Sequence, residues 1–157
     1  MQKTIYIKDA DLPIFEQAEQ IAGESLSAVI VKALKSFINE AEDKLSGFEK
    51  HEIKQYTSNS NAYKTGRTVK FTGRKIAEAD TKGQGAATAY TAYVTKAGKL
   101  VISIDHDNRW EGATSYVKVI QFAGIEELKA EQNHNLPEGL VIEIEEAVGI
   151  DAAIHID

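Results

Sequence analysis

Asp105, His106 and Asp107 form the densest run of side chains able to ligate a metal or move a proton. They follow a strand-like stretch, however, and consecutive strand residues point to opposite faces, so three in a row do not converge on one ion. A polar turn is the expected role. Glu143, Glu145 and Glu146 could serve acid/base chemistry, but no base or nucleophile accompanies them, and a solvated acidic face is expected instead. Gly83-Gln84-Gly85 lacks the G-x-x-x-x-G-K-[ST] spacing of a phosphate-binding loop and the helix that follows it. Arg109 and Trp110 are adjacent and could border a ligand pocket, although a single tryptophan is more often core. The four histidines, at 51, 106, 134 and 155, share no metal-ligand spacing, and with no cysteine neither a disulfide nor a thiolate site can form. The chain is therefore expected to be no enzyme, with no catalytic residue, no metal and no cofactor.

Charge is the remaining source of chemistry. The chain of 157 residues carries a net charge of −6, which weighs against a nucleic-acid partner until its distribution is followed. Residues 50–82 hold eight Lys and Arg against three acids, a surplus of +5, whereas residues 105–157 hold three basic residues against twelve acids, a deficit of −9. Residues 1–38 come to −1, with four lysines against five acids. An acidic protein binds DNA if its contact face is locally basic and its acids point elsewhere. Lys64, Arg67, Lys70, Arg74 and Lys75 are the groups of the basic block that could lie along DNA, although Arg67 and Lys70 fall on different phases of a strand.

The elements at the N-terminus are clearer. Thr4-Ile5-Tyr6-Ile7-Lys8 alternates with period two, placing Ile5 and Ile7 on one face and Gln2, Thr4, Tyr6 and Lys8 on the other. Asp9 and Asp11 are N-cap candidates, and Pro13 suits a first helical turn. Leu12, Phe15, Ala18, Ile21 and Ala22 make an apolar helical stripe that Gly23 ends, and a second stripe runs from Leu26 to Ala41 through Val29, Ile30, Ala33, Leu34, Phe37 and Ile38. A lone strand lacks a hydrogen-bonding partner, and roughly 45 residues seldom bury enough to fold alone. Pairing the strand with its copy in a second chain would solve both problems.

Over residues 2–42 the chain resembles the ribbon-helix-helix superfamily of DNA-binding proteins, which includes the MetJ, Arc and CopG repressors. The resemblance is carried by the alternating segment Thr4–Lys8, the helix ending at Gly23, and Gly23-Glu24-Ser25-Leu26-Ser27-Ala28 leading into the second helix. It implies that a two-stranded ribbon enters the major groove, with Gln2, Thr4, Tyr6 and Lys8 reading bases. It further implies that Ser25, Leu26 and Ser27 hold a phosphate at the start of the second helix, and that Ile5, Ile7, Leu34 and Phe37 form the dimer core. Tyr6 departs from the smaller or more polar residues common at such a reading position.

From Gly47 the texture becomes β-type. Phe48–Tyr56, Arg67–Thr72, Ala89–Thr95, Leu100–Asp105 and Tyr116–Phe122 read as strands, with Lys96-Ala97-Gly98 as a hairpin turn and residues 57–61 and 81–85 as breaks. Ile125–Ala130 and Gly139–Val148 read as short helices, and Ala153–Ile156 as a last strand or tail. The whole chain is also similar to a bacterial group called EXLDI proteins, through Lys3–Pro13, Leu26-Ser27-Ala28, Gly47-Phe48 and Phe71-Thr72-Gly73-Arg74. It lacks that group's C-terminal motif in literal form and ends Ala153-Ile-His-Ile-Asp157.

The expected fold class is α+β: a dimeric ribbon-helix-helix domain over 1–46, then over 47–157 a small antiparallel β-sheet domain with one or two helices. The expected function is a homodimeric, sequence-specific transcriptional regulator of repressor type, bacterial and cytoplasmic, bound to double-stranded DNA as a dimer or a higher oligomer. No apolar run is long enough to span a bilayer, and no signal peptide or membrane partner is expected. Residues 47–157 would serve assembly or hold a protein or small-molecule partner. The alternative is an antitoxin, or a plasmid segregation or accessory protein, whose C-terminal domain binds a protein or drives assembly on DNA.

Overall fold

A computed structural model describes residues 4–59, 62–110 and 112–154. The chain divides into two compact units, Met1–Leu45 and Ser46–Asp157.

The first unit is helical. Residues 4–8 form no strand; the backbone enters a 3-10 turn at Asp9–Asp11, closed by the Asp11 N–H donating to the Lys8 carbonyl at 2.8 Å. Helix α1 (Leu12–Ala22) and helix α2 (Leu26–Leu45) follow. The expectation of a strand-first, ribbon-helix-helix fold is thereby overturned. The physical reason is the ladder: a strand exists only when a second extended segment pairs with it, and the described chain from Asp9 to Leu45 is turn and helix. Asp11 occupies the N-cap position of α1 without a capping hydrogen bond from its side chain, because the 3-10 turn has already brought it into helical conformation. Pro13 sits in the first turn, where its missing N–H leaves no bond unmade. Gly23 ends the helix in the left-handed region at φ 64°, with its N–H on the Glu19 carbonyl.

The second unit is a five-stranded antiparallel meander closed into a barrel, with strands β1 (Glu49–Asn59), β2 (Ala62–Gly83), β3 (Ala86–Val94), β4 (Leu100–Asn108) and β5 (Ser115–Phe122). Strand β2 is long because it serves two neighbours: its first half pairs with β1 and its second half with β3. A bulge in β2 falls on each side of that handover, one where Gly66 and Arg67 face Gln55 alone and one at Ile76 between Lys75 and Ala77, and bulges bend and twist strands in the way that closure demands. The seam between β1 and β5 is short, running through Tyr56↔Val117, Thr57↔Tyr116 and Ser58↔Ser115. The side chain of Gln55, opposite the first of these bulges, lengthens it: its Oε1 accepts the Val119 N–H at 2.9 Å.

Leu100, Val101 and Ile102 are successive and all buried. Since successive strand residues alternate faces, β4 is covered on both sides. One side carries Tyr90, Ala92, Leu100, Ile102, Ile104 and Phe122 against two helices, α3 (Ile125–Lys129) and α4 (Glu138–Ile154), which supply Leu128, Leu140 and Ile144. The other side carries Val69, Val101 and Val119, with Ile53, Phe71 and Tyr93 packed on them. The stretch expected as a final strand or tail continues α4 to Ile154, beyond which residues are outside the described set. The polar run 57–61, expected as a loop, contributes its first three residues to β1.

Candidate nucleic-acid interface

Thr4, Tyr6 and Lys8 are exposed, Tyr6 almost fully so at 93%, while Gln2 lies outside the described residues. Ile5 is exposed and Ile7 half-buried. The alternation seen in the sequence therefore leaves only Ile7 partly covered. Leu34 and Phe37, the other two positions assigned to a dimer core, are exposed on α2 at 55% and 70%. They belong to a wider pattern. No described side chain between Thr4 and Leu45 is buried, and Ile14, Ile21, Val31, Ile38 and Leu45 stand open to solvent with them.

The start of α2 holds Ser25 and Ser27 exposed and Leu26 half-buried. The Ser25 carbonyl receives the Val29 N–H at 3.1 Å, which closes the first turn. The Leu26 N–H is already engaged: it donates to Glu19 Oε1 at 2.7 Å. Glu24, one residue before Ser25, is ion-paired with Lys32 at 2.6 Å. Carboxylates thus take the favourable position at a helix N-terminus, and a phosphate arriving at Ser25–Ser27 meets Glu19 at the Leu26 amide. The sequence contained Glu19 and Leu26, but their seven-residue separation across a turn hid the contact.

The basic block does not form one surface. Lys64 is among the residues whose side chains are not described, and Arg67 is exposed in the bulge between the Lys54↔Thr68 and Tyr56↔Thr65 pairs, outside the regular register that holds Lys70. Lys70 pairs with Glu52 across β1 and β2 at 3.1 Å. The Arg74 guanidinium sits 5.4 Å over the Phe48 ring, a cation–π contact. Lys75 pairs with Glu78 at 2.6 Å, and the hydrogen bond and charge of that carboxylate hold its ammonium above the ordinary lysine pKa.

Other candidate groups resolve into structure. Thr88, His106 and Tyr116 lie side by side across β3, β4 and β5. Thr88 Oγ1 is 2.8 Å from His106 Nδ1, and the His106 ring stacks on Tyr116 at 5.0 Å. Asp105 and Asp107 occupy the opposite phase, and among the described residues no cluster of three or more His, Asp or Glu could hold a metal. Glu145 pairs with Lys129 at 2.7 Å, joining α4 to α3. Gly83 ends β2, opposite Ala86, and Gln84-Gly85 is the turn to β3; Trp110 lies exposed with its indole N–H donating to the Gln84 carbonyl at 2.9 Å. Among the described residues, no helix is long and apolar enough to cross a membrane. No family model matches the chain, and no curated protein or solved structure matches it either, so no relative's function is carried over to it.

Proposed function

We propose that the protein is a homodimeric, sequence-specific DNA-binding regulator in which residues 4–45 both dimerise and contact DNA. The observation that carries this reading is the absence of a core in that unit: no described side chain from Thr4 to Leu45 is buried, while Ile14, Ile21, Leu34, Phe37 and Ile38 are exposed on α1 and α2. Two amphipathic helices whose apolar side chains are at best half-buried, as Phe15, Leu26, Val29 and Ile30 are, offset little of the conformational entropy of ordering themselves, and a second copy presenting the same faces supplies the missing burial. A two-fold pair repeats every exposed group of the unit, which is the symmetry a palindromic duplex site demands. The groups so repeated include Thr4, Tyr6 and Lys8, all exposed before the first helical turn, and the hydroxyls of Ser25 and Ser27.

Selection from a pool of random duplexes, followed by gel shift, tests the proposal. The protein should enrich a motif with two-fold symmetry, and Thr4→Ala/Tyr6→Ala/Lys8→Ala should erase that preference. Ser25→Ala/Ser27→Ala should weaken binding to all duplexes alike, because phosphate contacts carry no sequence information. An unenriched pool, or a preference that survives the triple substitution, overturns the assignment.

A further inference from the structure

We propose that the outward face of the β1/β2 pair is a second DNA contact, a phosphate-binding strip that grips the duplex without reading its sequence. The proposal rests on the DNA-binding reading above and adds a different surface, in the other unit of the chain. Register defines the strip. Glu52 lies opposite Lys70, Lys50 opposite Thr72 and Lys54 opposite Thr68. Directly opposed residues share a face, as do alternate residues along a strand. Phe48, Lys50, Glu52 and Lys54 therefore lie on one side with Thr68, Lys70, Thr72 and Arg74, and the Arg74–Phe48 contact fits that placement. The intervening residues, His51, Ile53, Val69 and Phe71, point the other way into the apolar cluster and its aromatic contacts.

The strip holds Lys50, Lys54, Lys70 and Arg74 against the single carboxylate of Glu52, a surplus of +3 in a chain whose net charge is −6. Lys50, Lys54 and Lys70 are exposed, and an open groove of about 520 Å³ is lined by Lys50, Glu52, Lys70 and Thr72 of the strip together with His51 and Phe71. Successive rows on a strand face are about 6.7 Å apart, so three steps from the Lys54/Thr68 row to the Phe48/Arg74 row span about 20 Å. A duplex carries one phosphate charge about every 1.7 Å of axis, so a patch of that length meets several phosphates at once. The hydroxyls of Thr68 and Thr72 lie between the cations as neutral donors. Its lysines are flexible point charges and the one planar guanidinium, of Arg74, is stacked over Phe48, so the strip's contribution is affinity and salt dependence. Arg67 and Lys75, though part of the same basic block, lie outside the strip: Arg67 falls in the bulge between the Lys54↔Thr68 and Tyr56↔Thr65 pairs, and Lys75 lies beyond the β1 pairing, opposite Tyr93 of β3.

The test uses the full chain, a duplex carrying its selected site, a random duplex, and vesicles of anionic phospholipid. Lys50→Gln/Lys54→Gln/Lys70→Gln should weaken binding to both duplexes on the order of tenfold or more and flatten the log affinity against log salt slope by about 2.7, three counterions' worth. It should keep the same preferred site. The triple arginine replacement should bind as the parent does, and an unchanged circular dichroism melt shows that the glutamine variant still folds. Glu52→Gln should tighten binding to both duplexes by releasing Lys70. A glutamine variant with parental affinity and slope overturns the strip while leaving the DNA-binding reading intact. DNA binding that depends on the strip but shows no preferred site supports the strip and overturns the reading. No DNA binding by the parent, or tighter binding to the vesicles than to either duplex, overturns the strip.

Discussion

Single side chains set the tolerances of the barrel, and the contact between Trp110 and Gly85 shows how narrow they are. Gly85 sits at φ 73°, and a Cβ there would lie 2.3 Å from the Trp110 indole nitrogen. The glycine is needed twice over, once for its left-handed backbone and once because the indole rests on it. The indole N–H reaches the Gln84 carbonyl at 2.9 Å, and the Arg109 N–H reaches the Gly85 carbonyl at 2.9 Å, so the segment after β4 is fastened to the β2–β3 turn by two bonds. Gly85→Ala should therefore cost about 1–3 kcal/mol, through positive-φ strain and displacement of the indole. Urea denaturation followed by the fluorescence of Trp110, the only tryptophan, reads both the stability and the changed surroundings of the reporter. In a cycle read by circular dichroism, Trp110→Phe should lose about 1 kcal/mol through its missing hydrogen bond. The Gly85→Ala/Trp110→Phe pair should lose less than the sum of the two, because the clash partner has gone. Additive losses would mean that backbone strain alone sets the cost. The exposed ion pairs Lys70–Glu52, Lys75–Glu78 and Lys129–Glu145 belong to a different class and contribute little to stability, which leaves their charges available to tune what the surface meets.

At the scale of elements, closure of the barrel and the packing of α4 decide stability, and both depend on residues of modest appearance. The β1–β5 seam has three backbone pairs, and Gln55 extends it by capping the Val119 N–H. Gln55→Leu leaves that part-buried donor without its acceptor and should cost about 1–3 kcal/mol. Faster hydrogen exchange at Val119 than in the β3–β4 ladder would locate the loss at the seam, and uniform protection would refute it. On α4, Leu140 and Ile144 are almost completely buried whereas Ile142 is 49% exposed. Truncation to alanine should cost about 2–5 kcal/mol at the first two positions and within about 0.5 kcal/mol at the third; equal urea midpoint shifts would contradict the packing. These elements were unequally legible. Helix α1 could be read to its ends, because Pro13 and Gly23 act locally through fixed φ and left-handed freedom. The hairpin turn at Lys96–Gly98 was legible for the same reason. No strand forms at Thr4–Lys8, because alternation describes side chains, whereas a strand is made by its neighbour's backbone. Residues 73–80 of β2 went unassigned because Gly73 and the small residues Ala77 and Ala79 weaken the apolar signal, and only pairing with β3 makes that stretch a strand. Of the candidate interface, Thr4, Tyr6 and Lys8 are exposed, but so is Ile5, so alternation does not sort them; the Glu19 carboxylate at Leu26 and the alignment of Lys50 and Lys54 with Lys70 needed the turn and the register.

The whole molecule joins two units that differ in what they bury. Ser46–Asp157 carries a two-sided core, with Leu100, Ile102, Ile104, Leu128, Leu140 and Ile144 almost fully removed from water; at about 1.5–3 kcal/mol per large apolar side chain it has what it needs to fold by itself. Met1–Leu45 has no buried residue among those described, and leaves Phe37 and Ile21 exposed at 70% and 79%. On the dimeric reading proposed above, its order comes from association, and association obeys mass action. Unfolding should accordingly show two transitions. The helical one, followed by circular dichroism at 222 nm, should move to higher temperature as protein concentration rises; the barrel one, followed by Trp110 fluorescence, should not. Leu34→Asp/Phe37→Asp places charge on the exposed apolar face of α2 and costs the unassociated chain nothing in packing, since neither side chain is buried. It should abolish the concentration-dependent transition, halve the mass in sedimentation and leave the barrel transition where it was. It should also weaken binding to a symmetric site far more than to a random duplex, because half of a two-fold pair of contacts is lost while the charge on β1 and β2 is untouched. A helical transition independent of concentration in the parent would mean that residues 4–45 are ordered by something other than a second copy, and the dimeric reading would fall with it.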